Sequence, residues 1–240
     1  MKQVTLKRSV LVFSGWALLT TGAAHGDHLP PVTPVLPGQD HRHENHSGAN
    51  FMAADLRDVN FSEGNFTGAT FEDARLERVL FVGATLDGAN LRTNLTDATN
   101  FTGASLVNAQ LGGMEGTGVI FADADLSGVV TNDSFFYFSD FRNATFAGAD
   151  LHEFLAYDSD FRGVDLSTVI ALDTLFLRSI YDSSTRFPPG YDPQGTGMIL
   201  VPEPATVTLL CSGLILAGFS RRKPRANAVR EARSLCDFQS

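Results

Sequence analysis

Five histidines crowd one short stretch of this 240-residue chain: His25, His28, His41, His43 and His46, with Asp40 and Glu44 among them. Imidazole is the commonest protein ligand for transition ions, so His41-X-His43-X-X-His46 has the donors to hold copper, nickel or zinc. The stretch is also Pro-rich and has no apolar period, which marks residues 25–50 as a linker. A linker preorganises no ligand set, so adventitious binding or plain solvation is expected and no metal site is assigned.

Further along, His152 is the only other histidine. A Ser-His-Asp arrangement would have to combine it with a serine such as Ser127 or Ser167, and no Gly-X-Ser-X-Gly elbow accompanies either. Gly116-X-Gly118 opens no helix after a strand and is not a phosphate loop. Carboxylates are plentiful: residues 55–178 hold 19 Asp and Glu against 7 Arg and no Lys, a net of -12. Asp140 with Asp160, and Asp125 with Asp165, are pairs that could bind calcium or exchange protons. Solvated surface is the simpler reading. No catalytic residue and no cofactor site is expected.

Composition narrows the classes further. The whole chain carries -9, so phosphate-gripping nucleic-acid binding is excluded. Its two cysteines, Cys211 and Cys236, cannot make a CxxC redox site, a four-cysteine zinc site or a disulfide scaffold. Phe is 19 and Gly 22, against 4 Tyr and 1 Trp. The order of the residues explains that excess.

Take every residue from Phe51 to Phe176 whose number leaves remainder one on division by five. Leu or Phe fills 21 of these 26 positions without an insertion. Two residues before each sits something small, such as Ala54, Val59, Gly64 or Ala69; Asn94, Met114 and Phe154 break that series. Five matches neither the helix period of 3.6 nor the strand period of 2. It suits a chain that turns a corner every five residues, with one large and one small residue inward on each side. Phe61, Phe81, Phe101, Phe121, Phe141 and Phe161 are spaced by 20 and all alike, which implies four sides to a coil and like residues stacked coil on coil. Each inward Leu or Phe contributes roughly 1.5–3 kcal/mol on burial. Backbone ordering costs about 1–2 kcal/mol per residue, so stability must come from the whole stack.

Segments such as Ala89-Asn90-Leu91, Ala124-Asp125-Leu126 and Ala149-Asp150-Leu151 resemble the unit of the pentapeptide-repeat family, Ala-(Asp/Asn)-Leu-X-X. The resemblance implies an all-β fold, a right-handed quadrilateral β-helix over residues 51–178 with about 6.5 coils, near 30 Å long at the usual strand spacing. Residues 179–200 are expected to cap it, with Tyr181, Phe187 and Tyr191 over the apolar end and prolines blocking further strand addition. Gly116 and Ala156 leave room that Met114 and Phe154 can fill. Thr96 and Ala156 each follow a leucine, Leu95 and Leu155, so a one-residue slip that turns these leucines inward is an alternative. In the regular register, Phe135, Leu155 and Leu175 stack at an outward position, as do Tyr137, Tyr157 and Leu177. Such an apolar stripe is a candidate contact site. Burial of part of it by the slip is the equal alternative.

Both ends read as addresses. Lys2, Lys7 and Arg8, the apolar run from Val10 to Leu19 and the small residues Thr21-Gly22-Ala23-Ala24 have the order of a signal peptide over residues 1–24. At the other end, Val201, Pro202, Glu203 and Pro204 precede an apolar run at residues 205–219, then Arg221, Arg222 and Lys223. This order resembles the PEP-CTERM sorting signal, placed at residues 201–225 with a single transmembrane helix and followed by a cytoplasmic tail at 226–240. The run is short against the roughly 20 residues of a full span, which snorkelling basic side chains can extend. The resemblance implies an exported protein. Signal peptidase and an exosortase-type enzyme are its processing partners, and the membrane is its station before release to the cell surface or matrix. The sequence therefore reads as a non-enzymatic scaffold for an unidentified protein or exopolysaccharide, with a homodimer as a further assembly. The alternatives are a DNA-mimic inhibitor of gyrase, which needs a cytoplasmic location, and an extracellular hydrolase. An ice-binding surface is opposed by Thr67, Thr102, Thr117 and Thr145, which do not repeat at 20.

Overall fold

The computed structural model describes residues 10–13, 16–19, 33–170 and 174–202. The chain divides into two units, Met1–Leu200 and Val201–Ser240. The apolar run read as a membrane helix lies outside the described residues. Among the described residues, no helix is long and apolar enough to cross a membrane. Of the segment read as a signal peptide, β1 (Val10–Phe13) and β2 (Trp16–Leu19) pair antiparallel, and β2 pairs with β3 (Thr33–Val35). The rest of that segment lies outside the described residues.

From there the chain winds as a four-sided parallel β-helix. Every fifth residue bridges in parallel to the residue 20 further on: Asp40 to Asn60, Asn45 to Asn65, Asn50 to Thr70, Asp55 to Arg75. The last such pair, Asp165 with Arg186, is separated by 21. Between Leu36 and Arg186 lie about seven and a half coils, a stack of roughly 35 Å at the usual strand spacing. The linker assigned to residues 25–50 is thus corrected: from Leu36 on it is coil. His41 and His46 occupy inward positions that elsewhere take Leu or Phe, and their imidazoles pack there against phenyl rings, His41 tilted on Phe61 at 5.8 Å and His46 stacked on Phe66 at 5.1 Å.

The five-residue beat has a local cause. In each regular side the carbonyl of the large inward residue accepts the N–H three residues on, as Phe51 O accepts Ala54 N–H at 3.0 Å. The residue two after the large one has positive φ, for example Asp58 at 62° and Gly68 at 65°. These are type II turns, which explains the Gly, Asn and Asp that recur at that corner. Asp or Asn just before the large residue closes the same turn from its side chain. Asn60 Oδ1 accepts Ser62 N–H at 3.1 Å, and Asp150 Oδ1 accepts His152 N–H at 3.1 Å.

Inside, the phenylalanine column stacks ring on ring. Phe81, Phe101 and Phe121 succeed one another at 5.1 and 5.0 Å with planes within 5°. Met114 and Phe154 are fully buried beside Gly116 and Ala156, Phe154 reaching Phe136 at 5.6 Å and Phe176 at 5.9 Å. The slip does not occur. Thr96 and Ala156 are buried, Leu95 is 49% exposed and Leu155 stays half-buried. A slip would break the bridges that tie Leu95 to Arg75 below and Glu115 above, and the buried Thr96 hydroxyl instead donates to Glu115 O at 3.0 Å. Ser134 and Thr174 are likewise buried and donate to Leu111 O and Leu151 O, each at 2.7 Å. The buried Asn94 amide has no such partner.

At the far end, β8 (Ile180–Tyr181) pairs in parallel with β9 (Ile199–Leu200). Tyr191 lies edge-on to Phe176 at 6.0 Å and stacks on Phe187, which meets Tyr181 at 5.3 Å. Aromatic rings thereby cover the last apolar layer.

Two substitutions test this interior by urea unfolding. Phe101→Ala removes one ring from an uninterrupted stack and should cost about 3–5 kcal/mol. Asn94→Ala, which restores the small residue of the repeat and removes an unpaired buried amide, should raise stability by about 1 kcal/mol or more. A destabilised Asn94→Ala would mean that the amide is paired in solution.

Candidate functional site

On one side of the later coils the turn gives way to true strand. The elements β4 (Glu115–Thr117), β5 (Phe135–Tyr137), β6 (Leu155–Tyr157) and β7 (Leu175–Leu177) form a four-stranded parallel sheet. Serines at a spacing of 20 hold it open. Val119 N–H donates to Ser139 Oγ at 3.2 Å, Ser139 N–H to Ser159 Oγ at 3.1 Å, and Ser159 N–H to Ser179 Oγ at 3.2 Å. These bonds take the N–H groups that would otherwise close type II turns, so three residues per coil stay extended.

An extended side with one residue inward turns both neighbours outward. Phe135, Leu155 and Leu175 are in register, and so are Tyr137, Tyr157 and Leu177. Leu175 is 44% and Tyr137 39% exposed, and the other four are half-buried. Phe138, which the sequence reading passed over, is 62% exposed at the adjoining corner. A residue one place outside a spaced column carries no periodic signal, whereas Ser139, Ser159 and Ser179 repeat at 20 and were open to discovery. Arg178 lies over the Tyr157 ring at 5.3 Å and pairs with Asp158 at 3.0 Å, closing one end of the stripe with a paired charge.

A charged ladder runs beside it. Asp140 and Asp160 sit one above the other and each receives the fork of an arginine, Arg142 Nη2 and Arg162 Nη2 each at 2.6 Å. These carboxylates are therefore occupied, which removes the acid–base and calcium readings from them. Burial works against charge on Asp140, yet the side-chain and backbone hydrogen bonds from Arg142 hold its carboxyl below the ordinary range. The Arg57 side chain does the same for Asp55, and that of Arg78 for Asp58. Ser127 Oγ donates to Asp125 Oδ1 at 2.5 Å, and His152 is bound through its backbone N–H to its own turn aspartate.

Two further features were named in the sequence. Val201 is half-buried and Pro202 exposed at the end of the described residues; Glu203, Pro204, Arg221, Arg222 and Lys223 lie outside them. At the opposite end, His41, Glu44 and His46 bring one metal-ligating atom each within 4.8 Å of the others. Continuing the count of fives back from Phe51 would have placed both histidines inward.

A four-sided parallel β-helix with this turn and this interior defines a class of repeat protein. The family described as Pentapeptide repeats matches residues 47–90, 93–133 and 120–155, and the PEP-CTERM protein-sorting motif matches residues 200–223. The chain is a pentapeptide-repeat protein that carries a PEP-CTERM sorting motif, and that motif implies export and processing by an exosortase. No curated protein matches the sequence. Among solved structures, the chain is similar to two trypsin-treated variants of QnrB1, described as a plasmid-mediated fluoroquinolone resistance protein. One has a TM-score of 0.62 at 17% identity, covering 74% of this chain and 89% of that one. The other has a TM-score of 0.56 at 18% identity, covering 74% and 90%. At these identities the likeness bears on the fold alone.

The lowered carboxyls at Asp55, Asp58 and Asp140 predict a loss of stability in acid. Carboxyls held below their unfolded value of about 3.9 bind fewer protons folded than unfolded, so their contribution is complete above about pH 5 and is lost as pH falls below 4. The thermal midpoint should be flat from pH 5 to 8 and fall steeply below 4, and Arg142→Gln should flatten that fall. A midpoint that does not change between pH 5 and 3 would exclude this role for Asp55, Asp58 and Asp140.

Proposed function

We propose that this protein is a non-catalytic scaffold. It is exported under its N-terminal signal, sorted through its C-terminal motif by an exosortase-type enzyme, and presents its β-helix to a partner at the cell surface or in the extracellular matrix. The observation that carries the reading is the sorting motif at residues 200–223, which in the sequence follows directly on the cap that closes the rod. Cleavage near Glu203 would free residues 27–203, with rod and cap left whole. The contact face is the stripe around Tyr137, Tyr157 and Leu175, since apolar side chains of this size in register on a charged rod mark an interaction surface.

A second reading, DNA mimicry toward gyrase, is favoured by the net charge of -12 over residues 55–178. It requires a cytoplasmic chain that retains Met1.

The test is an intact mass on protein recovered separately from membranes and from medium of the native host. A species starting at His25 or Asp27 and ending near Glu203 is expected. A membrane species that still carries Arg221 to Ser240 would show permanent anchoring instead, and a soluble species retaining Met1 would favour the gyrase reading. Tyr137→Asp with Leu175→Asp should leave the fold intact and lower the fraction held at the cell surface; unchanged retention would remove the stripe from the function.

A further inference from the structure

We propose that His41, Glu44 and His46 form a binding site for a divalent ion of the zinc class at the N-terminal mouth of the β-helix. Glu44 Oε2 lies 3.2 Å from His41 Nδ1 and 3.1 Å from His46 Nε2. A tetrahedral zinc with bonds of about 2.0–2.1 Å holds its ligand atoms roughly 3.4 Å apart; the two pairs that share Glu44 are close to that spacing, and all three donor atoms lie within 4.8 Å of one another. Two imidazoles and one carboxylate are also a known zinc donor set, with the fourth place left for water. The 46% exposure of the Glu44 side chain gives water that access.

The positions are set by the coil beneath. His41 N–H donates to Asn60 O at 2.8 Å, His46 N–H to Asn65 O at 2.7 Å, and Glu44 O accepts Asn65 N–H at 2.9 Å. The His46 ring, 3% exposed, lies nearly parallel to Phe66 and edge-on to Phe51 at 5.7 Å. An imidazole packed among phenyl rings loses little freedom when it takes a ligand.

Hydrogen-bond polarity points the same way. Gln39 Oε1 accepts Leu36 N–H at 3.0 Å and lies 3.1 Å from His41 Nε2. An oxygen in that role needs a donor from the ring, so the His41 proton sits on Nε2. Its Nδ1 lone pair then faces the Glu44 carboxylate, and two acceptors at 3.2 Å repel unless a cation or a second proton lies between them. A histidine oriented through its far nitrogen by an outer side chain is the usual arrangement around a metal.

The experiment uses the full chain, stripped with chelator and titrated with zinc chloride alone. One zinc per chain is expected, with a thermal midpoint that rises with zinc concentration. His46→Phe puts into the column the ring it carries one coil on, and Glu44→Gln removes the charge from a half-exposed side chain. Each should lose at least about tenfold in zinc affinity while the circular dichroism stays that of the wild type. Gln39→Leu should lower affinity by about 10–100-fold as an outer-shell change. His43→Ala should leave zinc binding unchanged, because its ring turns outward to Glu63 at 3.1 Å. Zinc uptake that survives in both His46→Phe and Glu44→Gln, or no uptake by the wild type at micromolar zinc, would overturn the site. If His46→Phe does not fold, Glu44→Gln decides alone.

Discussion

The interior of each coil admits one large and one small side chain per side, and the remaining architecture follows from that limit. Five residues is the shortest stretch that lets an inward pair, a turn and a bridging residue share one side, and four such sides close on themselves. Once closed, each coil donates N–H groups to both neighbours, as Phe51 N–H does to Thr70 O at 2.7 Å and Thr70 N–H to Ala49 O at 2.9 Å, so no coil is complete without its neighbours. The exceptions obey the same limit: Gly116 stands beside Met114 and Ala156 beside Phe154, keeping the filled volume close to constant.

The surface is what this interior leaves outside. Where the type II turn closes, three residues per side face solvent, and Asp and Asn near the corners serve the turn before they serve any partner. The acidity of the rod is in good part a by-product of turn closure and is partly neutralised by arginine forks at Asp55, Asp140 and Asp160. Where serines replace the turn bond, the side straightens and shows Phe135, Tyr137 and their partners in register. The charged faces and the apolar stripe thus differ by the fate of one N–H per coil.

The ends obey a different requirement, since a stack must stop without exposing its last apolar layer. At the C-terminal end the aromatic rings of Tyr181, Phe187 and Tyr191 do this. At the N-terminal end the all-Phe column finishes in His41, and the neighbouring column, after Phe66, in His46. Imidazole can stack on phenyl with one edge and meet polar groups with the other, which makes it suited to the first layer of the helix.

The beat of five and the stacking period of 20 were legible in the residues, because the interior repeats its demand at every side and writes it into the sequence many times over; the sorting motif was legible because its signal is a contiguous run of residues. Departures from the repeat inside the rod were not legible. Leu95 and Thr96 are each acceptable inward side chains by type, and only the bridges from the coils above and below settled that Thr96 goes in. His41 and His46 sit on the beat yet break its composition, and the bridges of Asp40 to Asn60 and Asn45 to Asn65 show that the coil starts before Phe51. The stripe columns could be counted from the sequence, but their exposure depended on a serine ladder whose bonds run between residues 20 apart. Repetition is a property that sequence carries by itself; the choice between two residues that both satisfy a local rule belongs to contacts made only after the chain has wound.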